Sequence, residues 1–599
     1  MRCCTAHSGH REGALLKHCR LQKSLAALAF AAALGLPATG WAQGTAGPYL
    51  AAQQAERRGD VAEAARFYSR TLARDGDNVW VLERAMLNQI ATGNLAEGIA
   101  LARRHEQVNP GHHLGVLALA ADSLQKRDAD AIEEILTEEG PFVGQVIGAW
   151  ALFADGDTTG AIQRLGEIEK SDANGRPGQI AAATHLGLVA AASGDDATAI
   201  EAFERASTLS EGGSIRLVAA HAKALARLGR AEDAVALINA RLEGTFGDPA
   251  LSRLATEISE GATPSPDIRT ASQGAADVLH GIARLLVRGQ NRVISLAYAQ
   301  LAVFLDPSLT ESRLLIAQIF DAAEQYESAI RAYESIPADA PEALSAMIGK
   351  AEVLQASGDV DAAIPAMKGA VTQFPNALEV HTALGDMLRR EERFDEAATA
   401  YDGALALLPT IEPFHWALYY RRGIARERSK QWDLAEEDFR KALELEPDQP
   451  DVLNYLGYSL VELGLKLEEA EAMIEKAVEQ RPDDGYIVDS LGWVLYRLGE
   501  FDRAVTHLER AVELRPVDPI INDHFGDALW MVGRRIEAEF QWKRALSFEP
   551  VEKDAARIRE KLEIGLEAVL EREQEEGIPG IIGRNGEGDE NSDTTSDGG

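Results

Sequence analysis

The sequence predicts an all-α protein built as a solenoid of antiparallel helix pairs, and three observations support this fold class. A motif of about 34 residues recurs along the chain. Apolar residues within the motif fall at helical spacing, as at Leu491, Leu495 and Leu498. Small residues and prolines recur at constant offsets. Because neighbouring repeats of this kind stabilise one another, the 599 residues predict one or two solenoids rather than four separate domains.

Each C-terminal repeat has four landmarks. A glycine lies in the first helix, an alanine follows about 12 residues later, a second alanine seven residues further on, and a proline five residues after that. The small residues allow the two helices to approach closely, and the proline ends the second helix. Gly499 and Gly533 fall at turns between helices, where a positive φ is often needed. The landmark glycines are Gly385, Gly423, Gly457, Gly492 and Gly526.

This pattern resembles the tetratricopeptide repeat family, most closely over residues 378–550. The resemblance implies a right-handed superhelix whose first helices line a concave, protein-binding groove. Upstream the landmarks are weaker, and about twelve to fourteen units are expected in all, with 111–180 and 240–300 the least regular stretches.

The composition changes at several points and predicts the domain boundaries. Residues 256–272 contain Gly261, Pro264 and Pro266, and are expected to be either a hinge or a long turn between repeats. Past Pro550, apolar residues at helical spacing predict one capping helix. The predicted parts are a signal peptide (1–42), a degenerate N-terminal array (43–255), a linker or long loop (256–272), a C-terminal array (273–550), a capping helix (551–577) and a disordered acidic tail (578–599).

The first 42 residues are typical of an export signal. Arg20 and Lys23 precede an apolar run, 25–36, and small residues follow it. The run of 12 residues is short of the roughly 20 needed to span a bilayer. An uncleaved anchor or a buried helix is the alternative. We therefore expect a periplasmic protein whose membrane association is indirect or through an uncleaved signal. All three cysteines, Cys3, Cys4 and Cys19, would leave with the signal.

Charge and motif content argue against several functions. The chain has 95 acidic and 60 basic residues, a net charge of -35, which disfavours binding to nucleic acid and to anionic lipid. It contains neither a phosphate-binding loop with its lysine nor a His-Glu-x-x-His motif. The adjacent His112 and His113 would not face one site on a helix. We therefore expect no enzyme activity, no cofactor and no metal.

Aromatic residues indicate a binding surface. Residues 401–550 hold 12 of the 20 tryptophans and tyrosines. Two of these, Tyr401 and Trp542, are expected in the core. In the family, groove positions lie three before, one after and four after the landmark glycine. The resemblance therefore implies groove positions for Asn454, Tyr458, Asp489, Trp493, Tyr496, Asp523, Asp527 and Trp530. For Trp493 and Trp530, packing between repeats is the alternative.

Charged residues along the same surface suggest the chemistry of a partner. Asp489, Asp523 and Asp527 argue against the basic clamp with which some members of the family bind a terminal carboxylate, and favour a segment bearing Lys or Arg. Further upstream lies a band of arginines, interpreted either as part of the groove or as a solubilising surface, with Arg389 and Arg428 as candidate binding residues. The band comprises Arg389, Arg390, Arg421, Arg422, Arg426 and Arg428.

The motifs around three landmark glycines are similar to those of exported bacterial tetratricopeptide proteins. These motifs are 454–458, 489–493 and 522–527. That group includes lipoprotein adaptors of periplasmic carboxyl-terminal processing proteases. The resemblance implies an adaptor that brings such a protease and its envelope substrates together, although this chain lacks a lipidated cysteine after its apolar run. The alternative is a structural component of an envelope assembly or of a polysaccharide or protein export system.

Overall fold

The computed structural model describes residues 45–76, 78–128, 131–132, 141–243, 248–289, 291–576 and 580–581. These residues form helices and turns and contain no β-strand, which confirms the all-α prediction. Consecutive helices pack in pairs joined by short turns, as the repeat predicts. The predicted signal peptide, 1–42, lies outside the described residues, as does the predicted tail, 578–599, apart from Gly580 and Ile581.

The helices fall into two units, and the boundary lies between Asp359 and Val360. The described part of the N-terminal unit contains α1 (Ala46–Arg57), α2 (Val61–Leu72), α3 (Val79–Ala91), α4 (Leu95–Val108), α5 (His113–Lys126), α6 (Phe142–Ala154), α7 (Thr158–Lys170), α8 (Gly175–Ser193), α9 (Asp196–Leu209), α10 (Ile215–Arg227), α11 (Ala231–Leu242), α12 (Pro249–Ser259), α13 (Ala271–Arg288), α14 (Arg292–Leu305), α15 (Thr310–Ala322), α16 (Tyr326–Glu334) and α17 (Ala343–Ala356).

The C-terminal unit continues the same pattern of pairs. Its described part contains α18 (Val360–Gln373), α19 (Leu378–Arg390), α20 (Phe394–Ala406), α21 (Trp416–Arg428), α22 (Trp432–Leu445), α23 (Pro450–Glu462), α24 (Leu467–Gln480), α25 (Gly485–Arg497), α26 (Phe501–Leu514), α27 (Pro519–Met531), α28 (Arg535–Ser547), α29 (Glu552–Ile564) and α30 (Leu566–Glu575).

The predicted linker, 256–272, lies inside the N-terminal unit, and the division of the chain falls about 90 residues further on, after Asp359. It consists of the end of α12, an irregular stretch and the start of α13. The irregular stretch is attached to the repeats, because Arg227 Nη1 donates to the carbonyl of Pro264 at 2.9 Å and Ile268 is buried.

The landmark glycines permit the close helix packing that the sequence predicts. A Cβ added to Gly526 would lie 2.4 Å from the indole nitrogen of Trp542, and one added to Gly385 would lie 2.5 Å from the ring of Tyr401. Both rings are fully buried, which confirms their predicted place in the core. Each first helix therefore leaves room for one large side chain of its second helix.

Turn chemistry also follows the prediction. Gly499 and Gly533 adopt φ values of 81° and 80° at the turns between helices. Helix α27 begins with Asp518, whose carboxylate accepts hydrogen bonds from the backbone amides of Ile520 and Ile521, and with Pro519 in the first turn. Asp518 satisfies two donors that the helix start leaves unpaired, and Pro519 has no backbone N–H to satisfy.

Within the N-terminal unit, α13 and α14 fold back onto helices of the first repeats. They pack against α3, α5 and α6. Tyr298 Oη lies 2.5 Å from His113 Nε2, and Gln125 Nε2 donates to the carbonyl of Phe304 at 2.6 Å. A Cβ on Gly274 would lie 2.1 Å from the buried ring of Trp150. Helices α13 and α14 therefore cover faces of α3, α5 and α6 within the same unit.

The end of the array differs from the single capping helix predicted over 551–577. The chain forms two helices, α29 and α30, separated by Gly565. Gly565 has φ 86° and ψ 157°, which no helical residue adopts, so the helix must break there. The predicted apolar stripe is nevertheless buried on both sides of the break, at Ile558, Leu566 and Val569.

Candidate protein-binding surface

The predicted binding residues lie on the first helices of five successive repeats. Arg389 is on α19, Arg428 on α21, Asn454 and Tyr458 on α23, Asp489, Trp493 and Tyr496 on α25, and Asp523, Asp527 and Trp530 on α27. Five of them are partly exposed: Arg389, Arg428, Tyr458, Trp493 and Trp530. The other five are buried: Asn454, Asp489, Tyr496, Asp523 and Asp527.

The carboxylates of Asp523 and Asp527 meet basic side chains of α29. Lys561 Nζ donates to both oxygens of Asp523 at 2.9 Å and to the oxygens of Asp527 at 2.6 and 2.8 Å. Arg557 Nη1 lies 3.2 Å from Asp527 Oδ2, and its Nε and Nη2 hold Glu573 of α30. The basic residues expected of a partner are therefore supplied here by the chain itself.

Charge compensation outweighs burial at Asp527, whereas at Asp523 burial prevails and raises the pKa. Burial alone would raise the pKa of Asp527, but the charges of Lys561 and Arg557 outweigh burial and lower that pKa. The indole N–H of Trp542 also donates to Asp527 at 2.9 Å. A carboxylate that accepts this many hydrogen bonds is held in one position.

Trp493 lies in a stack of aromatic rings. Its ring lies 4.1 Å from that of His524 at an interplanar angle of 19°, and 4.8 Å from that of Tyr496 at 14°. Its indole N–H donates to Glu462 at 3.0 Å. The Nδ1 of His524 lies 3.1 Å from both oxygens of Asp489. Trp493 is therefore held by stacking and a hydrogen bond, and it remains partly exposed on α25.

Trp530 is contacted by the chain that follows α29. Its indole N–H donates to Glu567 at 2.6 Å, and a Cβ on Gly565 would lie 3.2 Å from its ring. The guanidinium of Arg535 lies 4.8 Å from the ring centre. Beyond α30, the carbonyl of Gly580 accepts a hydrogen bond from Arg497 Nε at 2.8 Å. The chain thus passes the end of α27 and reaches the end of α25.

Sequence reasoning missed the residues that engage the aspartates. Arg557 lies 34 positions after Asp523, and Lys561 lies 34 positions after Asp527. These separations equal the repeat length, so each pair occupies equivalent positions on consecutive first helices. That spacing was the signal that could have identified them. No such signal marks Glu573, which lies on α30, beyond the break at Gly565.

The predicted basic band is largely engaged with carboxylates. Arg421 Nη1 donates to Asp386 at 3.0 Å. Arg422 and Arg426 both donate to the buried Asp438 at 2.9 Å. The candidate Arg389 lies 3.9 Å from Asp386, and the candidate Arg428 lies over the ring of Phe394. Three arginines of the band therefore belong to ion pairs that tie neighbouring helices together.

Two further findings concern the described part of the chain alone. No group of three or more His, Cys, Asp or Glu side chains there is arranged to hold a metal ion. None of its helices combines the length and apolar character that crossing a membrane requires.

The family model for the tetratricopeptide repeat matches half of the chain. The matched segments are 148–214, 314–377, 348–411, 382–450, 420–485, 454–519 and 490–546. The chain therefore belongs to the tetratricopeptide repeat family. A search of curated proteins gave no match.

Several solved structures are similar to the chain at low identity. A tetratricopeptide repeat protein from Parabacteroides merdae is 16% identical, with 43% of this chain and 99% of that one covered and a TM-score of 0.37. The yeast protein Tom70 is 14% identical, with 89% and 99% covered and a TM-score of 0.34. A chain of the APC/C hetero-tetramer Cut9–Hcn1 is 16% identical, with 88% and 98% covered and a TM-score of 0.35.

Proposed function

We propose that the protein is a non-enzymatic scaffold that binds protein partners, or extended segments of them, along the first helices of its C-terminal unit. The observation that carries the proposal is the row of partly exposed aromatic side chains on α23, α25 and α27, at Tyr458, Trp493 and Trp530. Aromatic side chains provide much contact area for little loss of conformational freedom, and they are enriched among the residues that dominate binding energy.

A pair of matched variants tests this surface. In the first, Tyr458→Ala and Trp493→Ala remove two partly exposed rings from α23 and α25. In the control, Ile536→Ala and Phe540→Ala remove side chains that are 86% and 63% exposed on the second helix α28. Partners co-purified with the wild type should be lost from the first variant and kept by the control. Identical partner sets for all three proteins, with equal helical content, would exclude this surface.

We place the protein in the bacterial periplasm. The support is the basic start, short apolar run and small-residue exit of residues 1–42. Fractionation of cells expressing the full chain with a C-terminal tag should recover it in the periplasmic fraction, with an N-terminus near Gln43. Recovery in the cytoplasm with an intact N-terminus would contradict this location.

The finer proposal is that the scaffold is an adaptor for a carboxyl-terminal processing protease. It rests on the similarity of the motifs at 454–458, 489–493 and 522–527 to exported adaptors. Purified protein should form a complex with such a protease from the same bacterium and should speed its cleavage of an envelope protein. If the protease neither binds the protein nor changes its cleavage rate, the adaptor role is excluded. The broader scaffold proposal would be unaffected.

A further inference from the structure

The last two repeats carry an acidic surface that the chain covers with its own C-terminus. We define the acidic wall as Tyr496 of α25 with Asp523, Asp527 and Trp530 of α27. We define the C-terminal segment as α29, α30, Gly580 and Ile581. Two contacts join them directly, Lys561 to both aspartates and Glu567 to Trp530. A third contact lies beside the wall, where Arg497, next to Tyr496, donates to the carbonyl of Gly580.

The face of α29 that meets the wall is basic and apolar, although α29 as a whole has four basic and four acidic residues. Arg557 and Lys561 are four residues apart, so they project from one face of α29 toward the two aspartates. Ile558 and Leu566 join the hydrophobic core of the C-terminal unit. Positive charges spaced by one helical turn, with apolar residues beside them, are therefore what this wall recognises.

The fit between wall and segment is incomplete. The hydroxyl of Tyr496 is buried and has no hydrogen-bond partner among the described residues, and neither has Nη2 of Arg497. Asp523, Asp527, Arg557 and Glu573 all act electrostatically on Tyr496, so its hydroxyl lies near the charged cluster. A buried polar group without a partner opposes burial. The segment therefore leaves hydrogen-bonding capacity that another occupant would satisfy.

We propose that the acidic wall is a helix-binding site, and that a partner protein inserts an amphipathic helix with a basic face in place of the C-terminal segment. The partner helix carries Arg or Lys residues four apart for Asp523 and Asp527, and an acceptor for the hydroxyl of Tyr496. This inference rests on the proposed scaffold function and names the chemistry of its partner. Since one wall has two competing occupants, binding of the partner is coupled to release of the segment.

The test uses a labelled synthetic peptide with the sequence of residues 551–576 as the probe. The wild-type chain holds its own copy and should bind the peptide weakly. In a full-length variant with Arg557→Glu and Lys561→Glu, the acidic wall repels the chain's own segment. This variant should bind the peptide at least about tenfold more tightly than the wild type, because the wall is then free in a larger fraction of the molecules. Adding Asp523→Asn and Asp527→Asn to that variant should abolish the gain. A peptide with the same two charge reversals is the matched control and should not bind.

Absence of peptide binding to an Arg557→Glu/Lys561→Glu variant with wild-type helical content would overturn the proposal. If that variant does not fold, hydrogen exchange of the wild type decides. Faster exchange of α29 and α30, as one unit, than of α27 and α28 supports a segment that detaches. Exchange as slow as that of α27 and α28 overturns it.

The outcome is separable from that of the scaffold proposal. The peptide test needs no natural partner and leaves Tyr458 and Trp493 unchanged. If the peptide binds but the Tyr458→Ala/Trp493→Ala variant keeps all its partners, only the proposed binding surface at Tyr458 and Trp493 is excluded. Loss of partners from that variant without any peptide binding would remove only the acidic wall.

Discussion

Lys561 and Asp527 form an ion pair in which both side chains are fully buried, with Nζ 2.6 Å from Oδ1. Burying two charges is costly unless each is fully paired, and here Asp523 and Arg557 complete the arrangement. The pair joins the last complete repeat to the helix that follows it. The end of the array is thus held by specific charges as well as by apolar contact.

Replacing Lys561 with alanine should therefore be strongly destabilising. The change leaves two carboxylates buried without their ammonium partner, which costs about 3–5 kcal/mol. Thermal unfolding followed by circular dichroism measures the effect. Arg559→Ala, which breaks an exposed pair with Glu552 on the same helix, is the control and should change stability by less than about 1 kcal/mol. Equal losses of stability from the two substitutions would show that the buried pair contributes no more to stability than the exposed one.

The His524–Asp489 contact should make part of the stability depend on pH. Burial lowers the pKa of His524, but the charge of Asp489, aided by Asp523 and Asp527, outweighs it and raises that pKa. Since the unfolded pKa is about 6.5, the stabilisation is complete below that pH and is lost as pH rises through the higher folded pKa.

Urea unfolding of the wild type and of His524→Gln from about pH 6 to about pH 9 measures this. The wild type should be the more stable at the acidic end, and its advantage should shrink as pH rises. An advantage that grows with pH would mean that the imidazole is neutral in the folded protein.

His280 of the N-terminal unit should respond to pH in the opposite sense. Burial, reinforced by Arg216 and Arg284 and opposed by Asp277, lowers the pKa of His280 to about 4. Its Nδ1 lies 2.8 Å from the hydroxyl of Ser312. The folded protein favours the neutral ring, so the stabilisation is present above the unfolded pKa of about 6.5 and is lost as pH falls toward the folded value.

His280→Gln should therefore be less sensitive to acid than the wild type. Hydrogen exchange of α13 at about pH 7 and about pH 5, corrected for the intrinsic exchange rate, is the measurement. In the wild type the protection of α13 should fall with pH more steeply than in the variant. Parallel changes in both proteins would contradict the assignment to this imidazole.

Alanine at Gly526 and at Gly369 should have opposite effects. A Cβ at Gly526 would overlap the Trp542 indole, and overpacking of this kind costs about 1–3 kcal/mol. A Cβ at Gly369, an exposed position of helix α18, meets nothing within 4 Å. There the better helix propensity of alanine should stabilise the protein by about 0.5–1 kcal/mol. The sign of the shift in unfolding temperature distinguishes the two, and stabilisation by Gly526→Ala would contradict the packing argument.

The repeat architecture was predictable because its determinants are local. Gly385 and Tyr401, or Gly526 and Trp542, lie about 16 residues apart and recur with the repeat, so each copy confirms the others. The placement of ten binding residues on first helices followed from the same register. Their exposure did not follow, because it depends on particular contacts, such as that of His524 with Asp489 and that of Lys561 with Asp523 and Asp527.

The fold-back of α13 and α14 was not predictable for a related reason. The contact between His113 and Tyr298 occurs once, so it leaves no periodic trace in the sequence. The prolines of 256–272 do mark an interruption, but they do not indicate where the following helices pack.

That fold-back has a consequence for how the N-terminal unit is made. A simple solenoid folds repeat by repeat, because each repeat contacts only its neighbours. Here His113 must meet Tyr298, which lies 185 residues further along the chain. Contacts of such high sequence separation slow folding, because a long loop must close before they form. During synthesis, α3, α5 and α6 therefore keep an apolar face exposed until α13 and α14 have been made.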